Sequence, residues 1–282
     1  ITDSLVGSEM CIRDRISSPP NGMEMSIDEK RAYLSDALMS PDVEAALWHL
    51  IDTGLADEIV PELPALRLEQ DPIHRHKEVL SHTIAVTAKT PDDLVVRLAA
   101  LFHDIGKPAT RSFKHGGVTF RHHEAVGAKM TKKRLRALEY PEDIVKDVAE
   151  IVRLSGRFKG YADGWGDSAV RRYARDAGHL LGKLNSLVRS DCTSRHDHIH
   201  QAIHHHVDDL ERRIGELAEA DRRAAERPLL DGDEVMERLG VGPGPEVGKA
   251  LKFLMELRRS QPDLGRKGTE ASLDDWWRNY QS

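Results

Sequence analysis

From about residue 27 onward, apolar residues recur at three- and four-residue spacing, the period of helices that bury one face. "SIDEKRAYLSDALM" opens with Ser26 as an N-cap and carries acidic residues in its first turn. "SPDVEAALWHLIDTGLADEIV" repeats the signal, with Ser40 as the cap, Pro41 at the first helical position and Gly54 near a C-cap. Pro61 and Pro64 then interrupt the pattern and mark a boundary. Further helical patterns run over about 74–89, 92–104, 122–138, 141–154, 167–177, 179–195, 199–224, 231–239 and 244–260, and a short one carries Trp276 and Trp277. Only "TRSFKHGGVTFRHH" reads as a Gly-containing loop or small hairpin. With no strand-rich block and no internal repeat, the pattern predicts an all-α fold.

Three of these apolar stripes contain residues that do not belong there. Val79, His82, Thr83 and Val86 share a helix face, which turns His82 inward. Leu94, Val95, Leu98, Leu101 and Phe102 lead directly into His103 and Asp104. Leu180, Leu184, Leu187 and Val188 form a stripe whose next position is Asp191. A carboxylate that continues a leucine face costs several kcal/mol unless it is paired. One reading makes His82 a hydrogen-bonded core histidine and pairs Asp191 with a buried arginine. The other brings His82, His103, Asp104 and Asp191 together around a divalent cation, for which imidazole nitrogen and carboxylate oxygen are suitable ligands. In that case the two carboxylates stand close together, and without the cation their repulsion should drive one to take up a proton.

Composition narrows the class. Hydrophobic residues make up 39% and charged residues 31% of the 282, as in helix-rich globular proteins. No run approaches the roughly 18 consecutive apolar residues of a membrane span. The two cysteines, Cys11 and Cys192, form no CxxC pair or disulfide framework, so a reducing cytosol is expected. The net charge of −6 restricts any nucleic-acid contact to local basic faces. Two such faces stand out: Lys132, Lys133 and Arg134 in "KMTKKRLR", and Arg171, Arg172 and Arg175 in "SAVRRYAR". Arg171 and Arg175 are i, i+4 neighbours able to straddle a phosphate backbone. His123 shares a face with Val126, Gly127 and Met130, and is a candidate further ligand or a donor to a phosphate. The tract "RHDHIHQAIHHH" reads as a solvated helix face. Residues 1–15, without periodicity or an initiator Met, read as a non-native segment, so the natural protein is expected to continue further toward its N-terminus.

The order His82, His103–Asp104, Asp191 resembles the H…HD…D signature of the HD metallophosphohydrolase superfamily. "PELPALRLEQDPIHRHKEVLSHTIAV", "RLAALFHDIGKPATRS", "HHEAVGA", "DSAVRRYARDAG" and "SDCTSR" together resemble the HD-containing branch of the bacterial CCA-adding tRNA nucleotidyltransferases. The resemblance covers about residues 27 to 282. It implies a helical neck over 16–66, an HD domain over 67–196 and a tRNA-binding tail over 197–282. It implies tRNA as partner, a divalent metal at the HD site, and ATP, CTP and Mg²⁺ for the intact enzyme. The nucleotidyltransferase head, with its Gly-Gly turn and paired carboxylates, has no counterpart here. Gly116–Gly117 and Asp231-x-Asp233 lie far apart and read as a turn and a helix start. Relatives often carry a histidine where this chain has Ser155, which favours one metal over two. His103, Asp104 and His123 are the candidate catalytic residues. The rival readings are a free-standing HD nucleotidase, and a tRNA-docking module whose HD residues are structural.

Overall fold

The computed structural model describes residues 25–68, 78–114, 117–192, 197–225 and 227–281. They form two compact units, divided at Ile214 and Gly215.

The first unit is helical, as the pattern predicts. It contains α1 (Ile27–Leu38), α2 (Val43–Asp52), α3 (Leu55–Ile59), α4 (Val79–Lys89), α5 (Leu94–Phe102), α6 (Lys107–Thr110), α7 (His123–Ala137), α8 (Glu142–Leu154), α9 (Asp167–Ala177) and α10 (Leu181–Ser190). The first part of α11 (Asp197–Ala225) also belongs to it. A short antiparallel hairpin, β1 (Arg111–Lys114) with β2 (Gly117–Phe120), pairs Arg111 with Phe120 and Phe113 with Val118. It is the only sheet among the described residues.

Local chemistry fixes the ends of these helices. Ser26 and Glu29 form a complete capping box at the start of α1. At α2 the cap is Asp42 rather than Ser40. The Asp42 carboxylate accepts from the Ala45 amide, and the Ser40 hydroxyl accepts from the Asp42 amide one step earlier. Gly54 adopts φ +79°, a left-handed conformation natural to glycine, and turns the chain from α2 into α3.

Helix α5 lies at the centre of the unit. Val96 through Phe102 are all buried, and the helix packs against α1, α4, α8 and α10. A helix buried on every side is a core element, and its one charged residue, Arg97, is bonded to the Leu38 carbonyl and to Asp92. Its last turn therefore delivers His103 and Asp104 into the interior. The second unit has its own core of Leu230, Val235, Val247, Ala250, Leu254 and Leu273. It contains α12 (Gly232–Leu239), α13 (Pro245–Ser260) and α14 (Arg266–Gln281). Asp231 caps α12 with Glu234, confirming a helix start there. The tryptophans sit on a full-length helix, α14, because Leu273 anchors it to this core.

One close approach holds α7 against the end of α5. A methyl group on Gly106 would lie 2.1 Å from the His123 carbonyl oxygen and 2.7 Å from the Gly127 amide nitrogen. These are backbone atoms that cannot move aside without shifting α7. Gly106→Ala should therefore destabilise the protein by about 1–3 kcal/mol, the usual cost of overpacking. Chemical denaturation measures it; an unchanged midpoint would mean that this contact does not position α7.

Candidate metal centre

Three helices bring their ionisable residues to one point. His82 comes from the middle of α4, His103 and Asp104 follow the last turn of α5, and Asp191 is the C-cap of α10. One ligand atom each from His82, His103 and Asp104 lies within 4.8 Å of the others. Asp191 completes the group, with its Oδ1 3.0 Å from His82 Nε2 and 3.5 Å from His103 Nε2. Asp104 Oδ2 lies 3.3 Å from His103 Nε2 and 3.8 Å from His82 Nε2. All four residues singled out in the apolar stripes converge. Asp191 pairs with imidazoles, and none of its contacts here is an arginine.

The backbone sets the tautomers. His103 Nδ1 lies 2.6 Å from the Ala100 carbonyl and His123 Nδ1 lies 2.7 Å from the Phe120 carbonyl. A carbonyl only accepts, so both Nδ1 atoms carry protons and both Nε2 atoms face the site. His103 Nε2 is buried and makes no well-aligned hydrogen bond, despite the two carboxylates nearby. An imidazole nitrogen left without a hydrogen bond beside two carboxylates is the environment a cation would complete. The donor set therefore fits a divalent metal held by His82, His103, Asp104 and Asp191.

Without the metal, charge is balanced differently from the sequence expectation of a protonated carboxyl. Burial alone would raise the Asp104 carboxyl, but His103, His123 and Lys107 hold it well below its usual range. Burial acts the same way on Asp191, where His103 and His82 overcome it. The proton resides on imidazole instead. Burial lowers the His103 value, yet Asp104 first and then Asp191 push it up to about 10. Lys107 adds a compensating charge, with Nζ 2.6 Å from Asp104 Oδ2 and 5.7 Å from the centre of the Phe120 ring. Sequence reasoning passed over this lysine, although its place three residues after Asp104 is the spacing of a helical neighbour.

The remaining candidates lie around this group. His123 is buried at the start of α7, with Nε2 3.5 Å from Asp104 Oδ1. The Ser155 hydroxyl donates to the Val152 carbonyl of its own helix. Ser155, Phe158, Val188, Asp191, Ile203 and His206 line part of a cavity of about 240 Å³ beside the cluster. Lys132 and Lys133 are exposed on α7, and Arg171, Arg172 and Arg175 are exposed on α9. Arg134 is half-buried and engaged by Glu62, with Nε 2.8 Å from Oε2 and Nη2 3.0 Å from Oε1.

A metal at this site has to displace the His103 proton. Affinity for Mn²⁺ or Zn²⁺ should then rise about tenfold per pH unit between about pH 7 and 9, as one proton is released per ion. In the metal-free protein the sign reverses. The stabilisation from protonated His103 is complete below its ordinary value of 6.5 and is lost as pH rises through about 10. Competition titrations at several pH values measure the first effect, and an affinity independent of pH would contradict it.

The HD domain family matches residues 76–232, a span that includes the whole cluster. The chain is 34% identical over 249 residues to the A-adding tRNA nucleotidyltransferase of Deinococcus radiodurans, covering 85% of this chain and 55% of that protein. It is also 34% identical over 255 residues to the CC-adding tRNA nucleotidyltransferase of Thermus thermophilus, covering 87% and 55%. The Multifunctional CCA protein of Pseudomonas aeruginosa is 31% identical over 136 residues, covering 46% and 31%. The chain thus spans about half the length of the first two relatives, 55% of each. Those two are equally similar to it although their names assign them different added nucleotides, so identity does not choose between A and CC addition. The cluster lies inside the matched domain and the similarity extends well beyond it: the chain belongs to the HD domain family and is related over most of its length to tRNA nucleotidyltransferases.

Proposed function

We propose that this chain is the neck, HD and tail portion of a cytoplasmic tRNA nucleotidyltransferase, which docks tRNA and carries a metal-dependent phosphohydrolase site. The observation that supports the hydrolytic part is the convergence of His82, His103, Asp104 and Asp191, with His103 Nε2 left unsatisfied. Similarity to two tRNA nucleotidyltransferases supports the tRNA part. Addition to the tRNA 3′ end, with ATP, CTP and Mg²⁺, is assigned to the intact protein.

At the HD site a divalent cation would supply Lewis acidity toward a phosphoester or a 2′,3′-cyclic phosphate. The chain's own residues do the rest. Asp104 and Asp191 provide negative charge, and the apolar walls of α4, α5 and α10 limit water. His123 is fixed through its Nδ1–H to the Phe120 carbonyl and directs Nε2 at the site, where in its protonated form it donates to a phosphoryl oxygen. Ser155 supplies no nitrogen ligand, consistent with a single metal.

Docking of tRNA is assigned to Lys132 and Lys133 on α7 and to Arg171, Arg172 and Arg175 on α9, all exposed. Arg134 is assigned to the same face through its aliphatic stem and residual donors, its guanidinium being shared with Glu62. Reversing Arg171 and Arg175 to Glu should weaken tRNA binding and reduce the slope of log affinity against log salt by about 0.9 for each phosphate no longer neutralised. Filter binding over a salt series measures this. Equal affinities and slopes in parent and variant would reject the face as a tRNA contact. A chelator-sensitive release of phosphate from a phosphomonoester by the same preparation tests the hydrolytic half.

A further inference from the structure

We infer that a cavity beside α9 holds one unpaired nucleotide of a bound RNA, with its base against Trp165 and its phosphate on Arg172. The inference rests on the RNA-docking reading above but concerns a site apart from the metal cluster. Arg157, Trp165, Ala169, Arg172 and Tyr173 line this cavity, which measures about 250 Å³. Both charged residues in the lining are cationic. Arg157 is engaged by Asp176, whose other oxygen lies 3.4 Å from Arg175. Among the described residues no carboxylate pairs with Arg172, which is exposed. An anion is therefore the ligand this lining favours.

The aromatic wall is held in place before anything binds. The Trp165 ring lies 5.4 Å from Tyr161, edge to face, and 5.5 Å from Tyr173. The Trp165 carbonyl accepts from Arg213 Nη2 at 2.8 Å, which anchors the loop. The Tyr173 hydroxyl donates to Asn185 Oδ1 at 2.8 Å. Trp165 is still only half-buried, so part of its ring faces the cavity. A fixed indole beside an uncompensated guanidinium suits a flat ring that carries a phosphate. Pockets that enclose a whole drug-sized ligand measure about 300–1,000 Å³. This cavity has room for about one nucleotide, and the exposed Arg171 and Arg175 on the same helix suit the phosphates of a longer strand. A base stacked inside an A-form duplex cannot enter it, so the nucleotide must be unpaired.

The test uses the full chain and three probes: fluorescein-labelled oligo(A), an RNA duplex of matched length, and AMP as competitor. Trp165→Ala should weaken oligo(A) binding about tenfold or more, the usual range for removal of a stacked base, and leave duplex binding unchanged. Ala169→Leu fills the cavity while keeping Trp165 and should reproduce the weakening, which separates it from any effect of removing Trp165 on folding. Arg172→Gln should reduce the oligo(A) salt slope by about 0.7. If Trp165→Ala and Ala169→Leu bind oligo(A) as the parent does, the inference is overturned. Competition by AMP at the same affinity as oligo(A) would overturn it too, by making the cavity a free-nucleotide site. A parent that binds neither oligo(A) nor tRNA would remove the RNA-docking reading, and this inference with it.

Discussion

The structure depends on compensating Asp104. This carboxylate sits almost fully buried just past the end of a helix buried on every side, where an unpaired charge would cost several kcal/mol. Four partners from three directions face it: His103 beside it in the chain, His82 from α4, and His123 and Lys107 from the segment that follows. Asp191 adds a second negative charge to the same group, with its Oδ1 facing Nε2 of both His82 and His103. The fold can keep this group only where cations or protons are supplied to it. That requirement is what a bound divalent cation would meet.

The arrangement is rigid because backbone contacts, as well as side chains, define it. The Gly106 approach brings the start of α7 against the end of α5, and so fixes His123 relative to Asp104. The hairpin turns the chain between Lys107 and His123. Its last residue, Phe120, accepts from His123 Nδ1 and places its ring under the Lys107 ammonium. One short segment thus sets a tautomer and shields a counter-charge. A substitution in the hairpin would act on the site through these two contacts, without touching a ligand.

Much of this was legible in the sequence. His82 and Asp191 stood out because they continue apolar stripes, and the structure places both in the cluster. Helix existence followed from periodicity, and the hairpin from its glycines. What escaped notice depends on distance in space. Lys107 has no apolar stripe to mark it, and only the turn after α5 brings it back onto Asp104. The expected protonated carboxyl gave way to protonated imidazole, because sequence does not show how closely the histidines approach. Ser40 yielded the capping role to Asp42 through a shift of two residues, where both side chains are competent caps. Arg134 counted as a surface cation because Glu62, its partner, lies 72 residues earlier.

The central claim is that protons occupy a seat built for a divalent cation. Denaturant unfolding of the parent and of Asp191→Asn, each with and without chelator, tests it most directly when read beside the metal content of both. The account predicts that the parent binds one divalent ion per chain and loses stability on chelation. Asp191→Asn should bind little metal and unfold at a midpoint that chelator does not move. A parent indifferent to chelator, together with a large loss of stability in Asp191→Asn under both conditions, would contradict it and make the cluster a structural ion-pair network.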